Sequence, residues 1–242
     1  LLKSIESICS AVSKKNFDSI RPLFTENGYN QFVKTVQYGN ARLMQNPSSN
    51  ITFTENNDRV VARSVPMCLK FKNSSSQIIE KVYFTFDQSR LIDEVGFCLS
   101  QRTNSDIMNR PDRWGNTAAK LSLLEFMERY KTAYCLKDID FINNVFSENA
   151  LIIIGRVLKE NPNPEQKYNF GPKIQYKRYS KVEYVNNLKR AFNSNEFIHV
   201  QFEETDIKRA ESEPIYGIQL KQLYSSSSYR DKGYLFLMID LK

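Results

Sequence analysis

The stretch Leu123-Leu-Glu-Phe-Met-Glu-Arg-Tyr-Lys-Thr-Ala-Tyr-Cys-Leu-Lys-Asp-Ile-Asp-Phe-Ile-Asn-Asn-Val-Phe-Ser-Glu-Asn-Ala150 repeats, without a gap, a pattern the chain has already used from Leu1 to Gly28. Aligned 122 residues apart, Leu1/Leu123, Leu2/Leu124, Glu6/Glu128, Ala11/Ala133, Lys15/Lys137, Asp18/Asp140, Ile20/Ile142, Phe24/Phe146, Glu26/Glu148 and Asn27/Asn149 coincide. Average composition supplies about two identities over such a length. The excess predicts a duplicated domain. The repeat speaks to fold and states no chemistry.

At 242 residues the chain has room for two domains of about 120 residues, each large enough to bury its own core. The expected division is residues 1–100, a polar linker over 101–117, and residues 118–242. The only tryptophan, Trp114, falls in that linker and is expected to pack between the domains. A hydrophobic content of 41% and a charged content of 25% are ordinary for a globular protein, and no apolar run approaches the roughly 20 residues that span a bilayer.

The formal charge of +7 is dispersed among acidic residues. The nearest cluster, Lys173, Lys177, Arg178 and Lys181, stands beside no nucleic-acid motif and reads as a solvated face, so nucleic acid is not an expected partner. Four cysteines, Cys9, Cys68, Cys98 and Cys135, have no CxxC spacing, and His199 is the only histidine. No metal or other cofactor is therefore expected. Most of the cysteines read as small buried hydrophobes, while Cys68 and Cys98 lie on predicted strands where pairing stays open. The chain opens without methionine inside an apolar-periodic helix and stops within a strand-like run. Those ends predict a removed leader or tag, and a natural protein that continues past Lys242.

Leu2, Ile5, Ile8, Cys9 and Val12 recur at helical spacing, and Asn16 is placed to cap a short second helix carrying Phe17, Ile20, Leu23 and Phe24, made irregular by Pro22. Residues 28–45 fit either a helix or a short strand with a turn. From Ile51 the period changes to two: Val61, Val65, Met67, Leu69 and Phe71 share a face that Arg63 interrupts, and Pro66 points to an edge or bulge. A turn over residues 73–76 and another over 87–90 separate the strands Ile79–Phe86 and Leu91–Leu99.

In the second copy, Leu124, Met127, Tyr130, Lys131 and Tyr134 repeat the stripe, and Asp138 is placed to cap the following helix. Strands at 150–158 and 173–179 flank a Pro- and Gly-bearing loop over 160–172. Ser180-Lys-Val-Glu183 is a capping box that opens another helix. Three strands then follow, near 196–207, 215–224 and 233–241, the last two joined by a long polar loop over 225–232. The fold class read from this order is α+β, two tandem domains of helices packed on a curved antiparallel sheet.

Asp140-Phe-Ile-Asn-Asn-Val-Phe-Ser-Glu-Asn-Ala150, the strand Leu151–Leu158 and the closing Gly233-Tyr-Leu-Phe-Leu-Met-Ile-Asp240 resemble the nuclear transport factor 2-like superfamily. Asp18-Ser-Ile-Arg-Pro-Leu-Phe-Thr-Glu-Asn-Gly28 carries the same signature in the first copy. The resemblance implies a cystatin-like cone in each copy, the first degenerate and the second keeping a pocket. The tandem form is similar to uncharacterised exported bacterial proteins, which implies a periplasmic or cell-surface location. The superfamily hosts isomerases, cyclases and dehydratases beside non-catalytic binding domains, so activity has to be argued from the site.

Tyr130 and Tyr134, one turn apart, resemble the helical tyrosine of the isomerases, whose chemistry also needs a carboxylate base. The strand where that base would stand reads Leu151-Ile-Ile-Ile-Gly-Arg156, and its only charge is cationic. Asp138, Asp140 and Asp240 read as structural, and His199 as a residue of the polar face of its strand beside Gln201 and Glu203. No catalytic residue is assigned. The ligand-binding candidates are Arg156 as a cationic anchor with Tyr130, Tyr134, Tyr176, Tyr184, Tyr216 and Tyr234 as a pocket lining. The expected function is a non-catalytic module binding a small molecule or a protein; the alternative is an isomerase- or cyclase-type enzyme with its pocket in the second domain. An enzyme must place a carboxylate or His199 in a cavity beside Tyr130 or Tyr134.

Overall fold

The computed structural model describes residues 1–43, 51–56, 58–72, 77–109, 111, 116–157, 174–210 and 214–241. Trp114, Lys173, the turn at 73–76 and the loop at 160–172 lie outside them. The chain divides into two compact units, Leu1–Asp138 with Asn195–Lys242, and Ile139–Ser194. The fold is α+β with curled antiparallel sheets.

In the larger unit, α1 (Leu2–Lys14) buries Ile5, Ile8, Cys9, Ala11 and Val12, as its periodicity demands. The segment after it is a 3-10 turn, Asp18–Leu23, that contains Pro22 and has no side-chain cap, so Asn16 does not play the expected part. The ambiguous segment folds as α2 (Glu26–Gln37), because Thr25 accepts a hydrogen bond from the Gly28 amide and supplies the N-cap. The strands β1 (Arg42–Leu43), β2 (Thr52–Asn56), β3 (Arg59–Leu69), β4 (Ile78–Phe86) and β5 (Ile92–Phe97) form one antiparallel sheet, with β1 and β2 both pairing with β3.

A bulge in β3 between Ala62 and Val65, with Ser64 at φ 74°, changes the parity of the strand. Ala62, Val65, Met67 and Leu69 join the core beneath α1 and α2, whereas Val61 packs with Tyr83 and Cys98 in a separate cluster. Arg63 therefore does not interrupt the apolar face. The extra residue of the bulge puts it on the other one, with Val61.

Residues 101–108, polar enough to be read as linker, form α3 (Gln101–Met108), capped by Ser100, which accepts from the Thr103 amide at 3.1 Å. Next comes the long helix α4 (Thr117–Leu136), with Asn116 as its N-cap. The unit ends in the sheet β8 (Ile198–Arg209), β9 (Ile215–Ser226) and β10 (Arg230–Asp240), in the order β10-β9-β8. The turn between β9 and β10 is far tighter than the expected loop: the Ser226 amide donates to Tyr229 O at 2.7 Å, and pairing runs from Arg230 opposite Ser225 to Asp240 opposite Ile215.

The helices α1 and α4 end in the same way in the backbone. Lys15 (φ 54°) and Lys137 (φ 58°) both take the left-handed conformation. The Asn16 amide donates to Ala11 O at 3.0 Å and the Asp138 amide to Ala133 O at 2.8 Å, giving the same six-to-one closure twice. The shared Ala11/Ala133 and Lys15/Lys137 are the residues of that closure.

The smaller unit holds α5 (Ile139–Val145), the antiparallel pair β6 (Ile152–Val157) and β7 (Ile174–Tyr179), and α6 (Lys181–Ser194). The capping box forms as read: the Ser180 amide donates to Glu183 Oε2 at 2.8 Å and the Glu183 amide to Ser180 Oγ at 3.3 Å. Lys181 is buried against Glu148 at 2.5 Å, so the basic cluster is not one solvated face.

Candidate functional site

The sequence of α4 explains where the chemistry of the larger unit lies. Its buried residues go round the helix, and they include Glu128, Lys131 and Cys135, a stripe at spacings of three and four. That stripe runs along the open edge of β5. Alternate amides there are taken by helix side chains: Val95 N donates to Gln31 Oε1 at 3.0 Å, Phe97 N to Thr132 Oγ1 at 2.8 Å and Leu99 N to Glu128 Oε1 at 3.3 Å. Unpaired edge amides are costly when buried, and α2 and α4 remove the cost with side chains in place of a further strand. Gly96 allows the approach, since a Cβ there would stand 2.6 Å from both Thr132 Oγ1 and the Tyr83 hydroxyl.

Two buried ionic groups follow from this placement. Arg63 Nε lies 3.1 Å from Glu128 Oε2, with the side chains 2% and 1% exposed, and Arg63 Nη1 donates to Thr54 Oγ1 at 3.1 Å. Burial pushes the Glu128 carboxyl up, and Arg63 and the Leu99 amide offset this only in part, leaving it at about 7. The second group centres on Glu80, which meets Lys131 at 2.7 Å and His199 at 3.1 Å. Burial raises Glu80 as well, but the two cations outweigh it and hold the carboxyl down at about 2. Lys131 also donates to Cys98 O at 2.8 Å.

His199 is thus not on a solvated face. Both faces of β8 are covered, Ile198, Val200 and Phe202 on one and His199 on the other. Burial pulls the imidazole down, while the nearby Cys135 and the Glu80 carboxylate push it up to about 9. Its approach to Glu80 is an ion pair of poor hydrogen-bond alignment, and neither ring nitrogen has a well-directed partner among the described residues. Cys135, His199 and Glu80 have the composition of a nucleophile, a base and an orienting carboxylate, yet Cys135 is 1% and His199 4% exposed. Both are enclosed in the core of the larger unit among the described residues.

A cleft beside Arg63 is lined by Arg59, Val61, Tyr83, Thr85, Glu94, Glu125, Glu128 and Arg129, and offers about 10 Å³. That is room for a single water, far below the roughly 300 Å³ of a small-molecule pocket. Arg63 Nη2 has no partner among the described residues, and a water in this cleft is the group that would satisfy it.

None of the seven ligand-binding candidates lines that cleft. Tyr130 and Tyr134 are buried on α4, and the Tyr130 hydroxyl donates to that of Tyr134 at 3.1 Å. Tyr216 is buried on β9, with the Arg209 guanidinium 5.9 Å from its ring centre, and Tyr234 is exposed on β10. Arg156, Tyr176 and Tyr184 belong to the smaller unit: Arg156 and Tyr176 are exposed on β6 and β7, and Tyr184 meets Phe146 edge to face. The condition for an isomerase-type site is not met among the described residues, because Asp138, Asp140 and Asp240 are exposed and His199 is held by Glu80. All four cysteines are free; Cys68 Sγ faces Gln77 Oε1 and Cys98 Sγ accepts from the Ser64 amide, so the two do not pair.

The outstanding surface feature was only partly legible. On β10, Tyr234, Phe236 and Met238 project from one face with exposures of 72%, 60% and 73%. Tyr234 was singled out in sequence, but as one wall of a pocket. The signal for the stripe was the run Tyr234–Ile239, apolar on both faces of a strand, which calls for a cover on each.

No protein-family model and no curated protein sequence matches this chain. Among solved structures it is similar to Bdellovibrio bacteriovorus Bd1075, with a TM-score of 0.36 and 9% identity over 78% of this chain and 87% of that one.

Proposed function

We propose that the chain is a non-catalytic protein-interaction module that docks a partner on β10. The observation that carries this reading is the alternation of Tyr234, Phe236 and Met238 along the exposed face of an edge strand. Exposed apolar edge strands are a liability that folded proteins normally blunt, and a strand or sheet added by a partner removes it. Assignment to the tandem nuclear transport factor 2-like fold belongs to the same proposal, supported by the order of elements and the duplicated closures at Lys15 and Lys137. So does an exported bacterial setting, which rests on the resemblance alone.

The test is selection of extended peptides displayed against the full-length chain, followed by measurement on Phe236→Asp/Met238→Asp. Peptides that bind the parent and lose at least about tenfold on the double variant support docking at β10. Peptides that bind both equally, or an exhaustive selection that yields none, sink it.

A further inference from the structure

We infer that the occupant of β10 is β10 of a second copy of this chain, paired antiparallel about a two-fold axis at Leu235. The inference rests on the docking role proposed above. β9 pairs with β10 over its whole length on one side, and no strand among the described residues pairs on the other. Along the exposed face the strand reads Arg230, Lys232, Tyr234, Phe236, Met238, Asp240, basic at its start and acidic at its end. A partner strand of arbitrary sequence would have to supply the reverse order of charge. An antiparallel copy of the same strand supplies it automatically.

With Leu235 opposite itself, Arg230 of each copy faces Asp240 of the other, and Tyr234 faces Phe236 twice. Lys232 lies across from Met238, where its methylene stem can cover the thioether while its ammonium stays in water. The Phe236 ring lies over Gly217 of β9, close enough that a Cβ there would meet it at 3.1 Å. The far edge of this sheet is occupied along the first half of β8. Ile198 O accepts from the Tyr38 hydroxyl at 2.5 Å, and Phe202 O from Thr103 Oγ1 at 3.0 Å. Pairing β10 with β10 about a two-fold axis is isologous and ends at two copies, and the side chains on the first half of β8 leave less of the far edge for extension into a fibre.

The experiment is light scattering of the full-length chain over a concentration series, with charge variants on an otherwise unchanged background. The parent is expected to be a dimer, and Arg230→Asp and Asp240→Arg each to weaken association by about tenfold, since each sets like charges opposite one another. The combined Arg230→Asp/Asp240→Arg chain is expected to recover dimerisation, which damage to the fold of either single variant would not permit. In parallel, Leu235→Cys is expected to form an intermolecular disulfide that the parent chain does not form. A parent chain that is monomeric throughout overturns self-pairing. So does a dimer whose affinity ignores both charge changes. If peptide docking at β10 survives in either case, only the identity of the occupant was wrong; if it fails as well, the docking role falls with it.

Discussion

Lys131 Nζ lies 2.7 Å from Glu80 Oε2 inside the core of the larger unit, bridging the long helix α4 to strand β4. The pair is almost fully enclosed, at 5% exposure on each side. Removing one partner of such a pair strands a charge in a low-dielectric interior, at a cost of about 3–5 kcal/mol, whereas replacing both with apolar groups is often neutral. Lys131→Met is therefore expected to lower the unfolding free energy by that amount in urea titration, and Lys131→Met/Glu80→Leu to recover part of it. Equal stability of Lys131→Met and the parent would show that the pair carries no charge balance.

The titratable groups give the protein an acid-side stability maximum. His199 is held up at about 9, so its contribution is full below its ordinary 6.5 and is lost as pH rises through 9. Glu128 sits at about 7 against an ordinary 4.5, so the folded state holds that proton more tightly and stability falls as pH rises from 4.5 to 7. Glu80, near 2, contributes above its ordinary 4.5 and is lost as pH falls towards 2. Each displacement is worth about 3 kcal/mol. Thermal unfolding should peak near pH 5, at about the crossing of these slopes. Glu128→Gln should flatten the limb between 4.5 and 7, and His199→Gln the limb above it. A parent curve that rises from pH 5 to 9 would contradict both assignments.

Gly96→Ala should destabilise by about 1–3 kcal/mol, because its Cβ would stand 2.6 Å from Thr132 Oγ1 and the Tyr83 hydroxyl and push α4 off the edge of β5. Gly233, with nothing within 4 Å of the same added atom, is the internal comparison. Amide exchange at Phe97 should accelerate in Gly96→Ala and stay unchanged in Gly233→Ala.

The left-handed lysines offer a change in the other direction. Lys15→Gly relieves a conformation that costs a side-chain-bearing residue about 1 kcal/mol, and should raise the melting temperature. Lys137→Gly relieves the same strain and loses the hydrogen bond from Lys137 Nζ to Asn195 O, so it should gain less than Lys15→Gly. Equal gains at the two positions would show that the Lys137 side chain adds nothing.

The sequence by itself determined the α+β order, the helical stripes and the capping box at Ser180–Glu183, because each is written in near neighbours whose spacing or hydrogen bonding is local. It also marked Tyr234, but could not say that the ring faces outward. Tertiary structure decided the rest. Glu6 and Glu128 are identical and aligned, yet Glu6 is exposed on α1 and Glu128 is sealed against Arg63 on the side of α4 that meets β5. One bulged residue at Ser64 carried Arg63 from an apparent interruption of the core to the carboxylate that balances it. His199 alternates as a surface residue does, and is buried because a carboxylate from 119 residues away arrives opposite it. Charges read as solvated in sequence become structural when partners remote in the chain enclose them, and no local pattern records which partners those are.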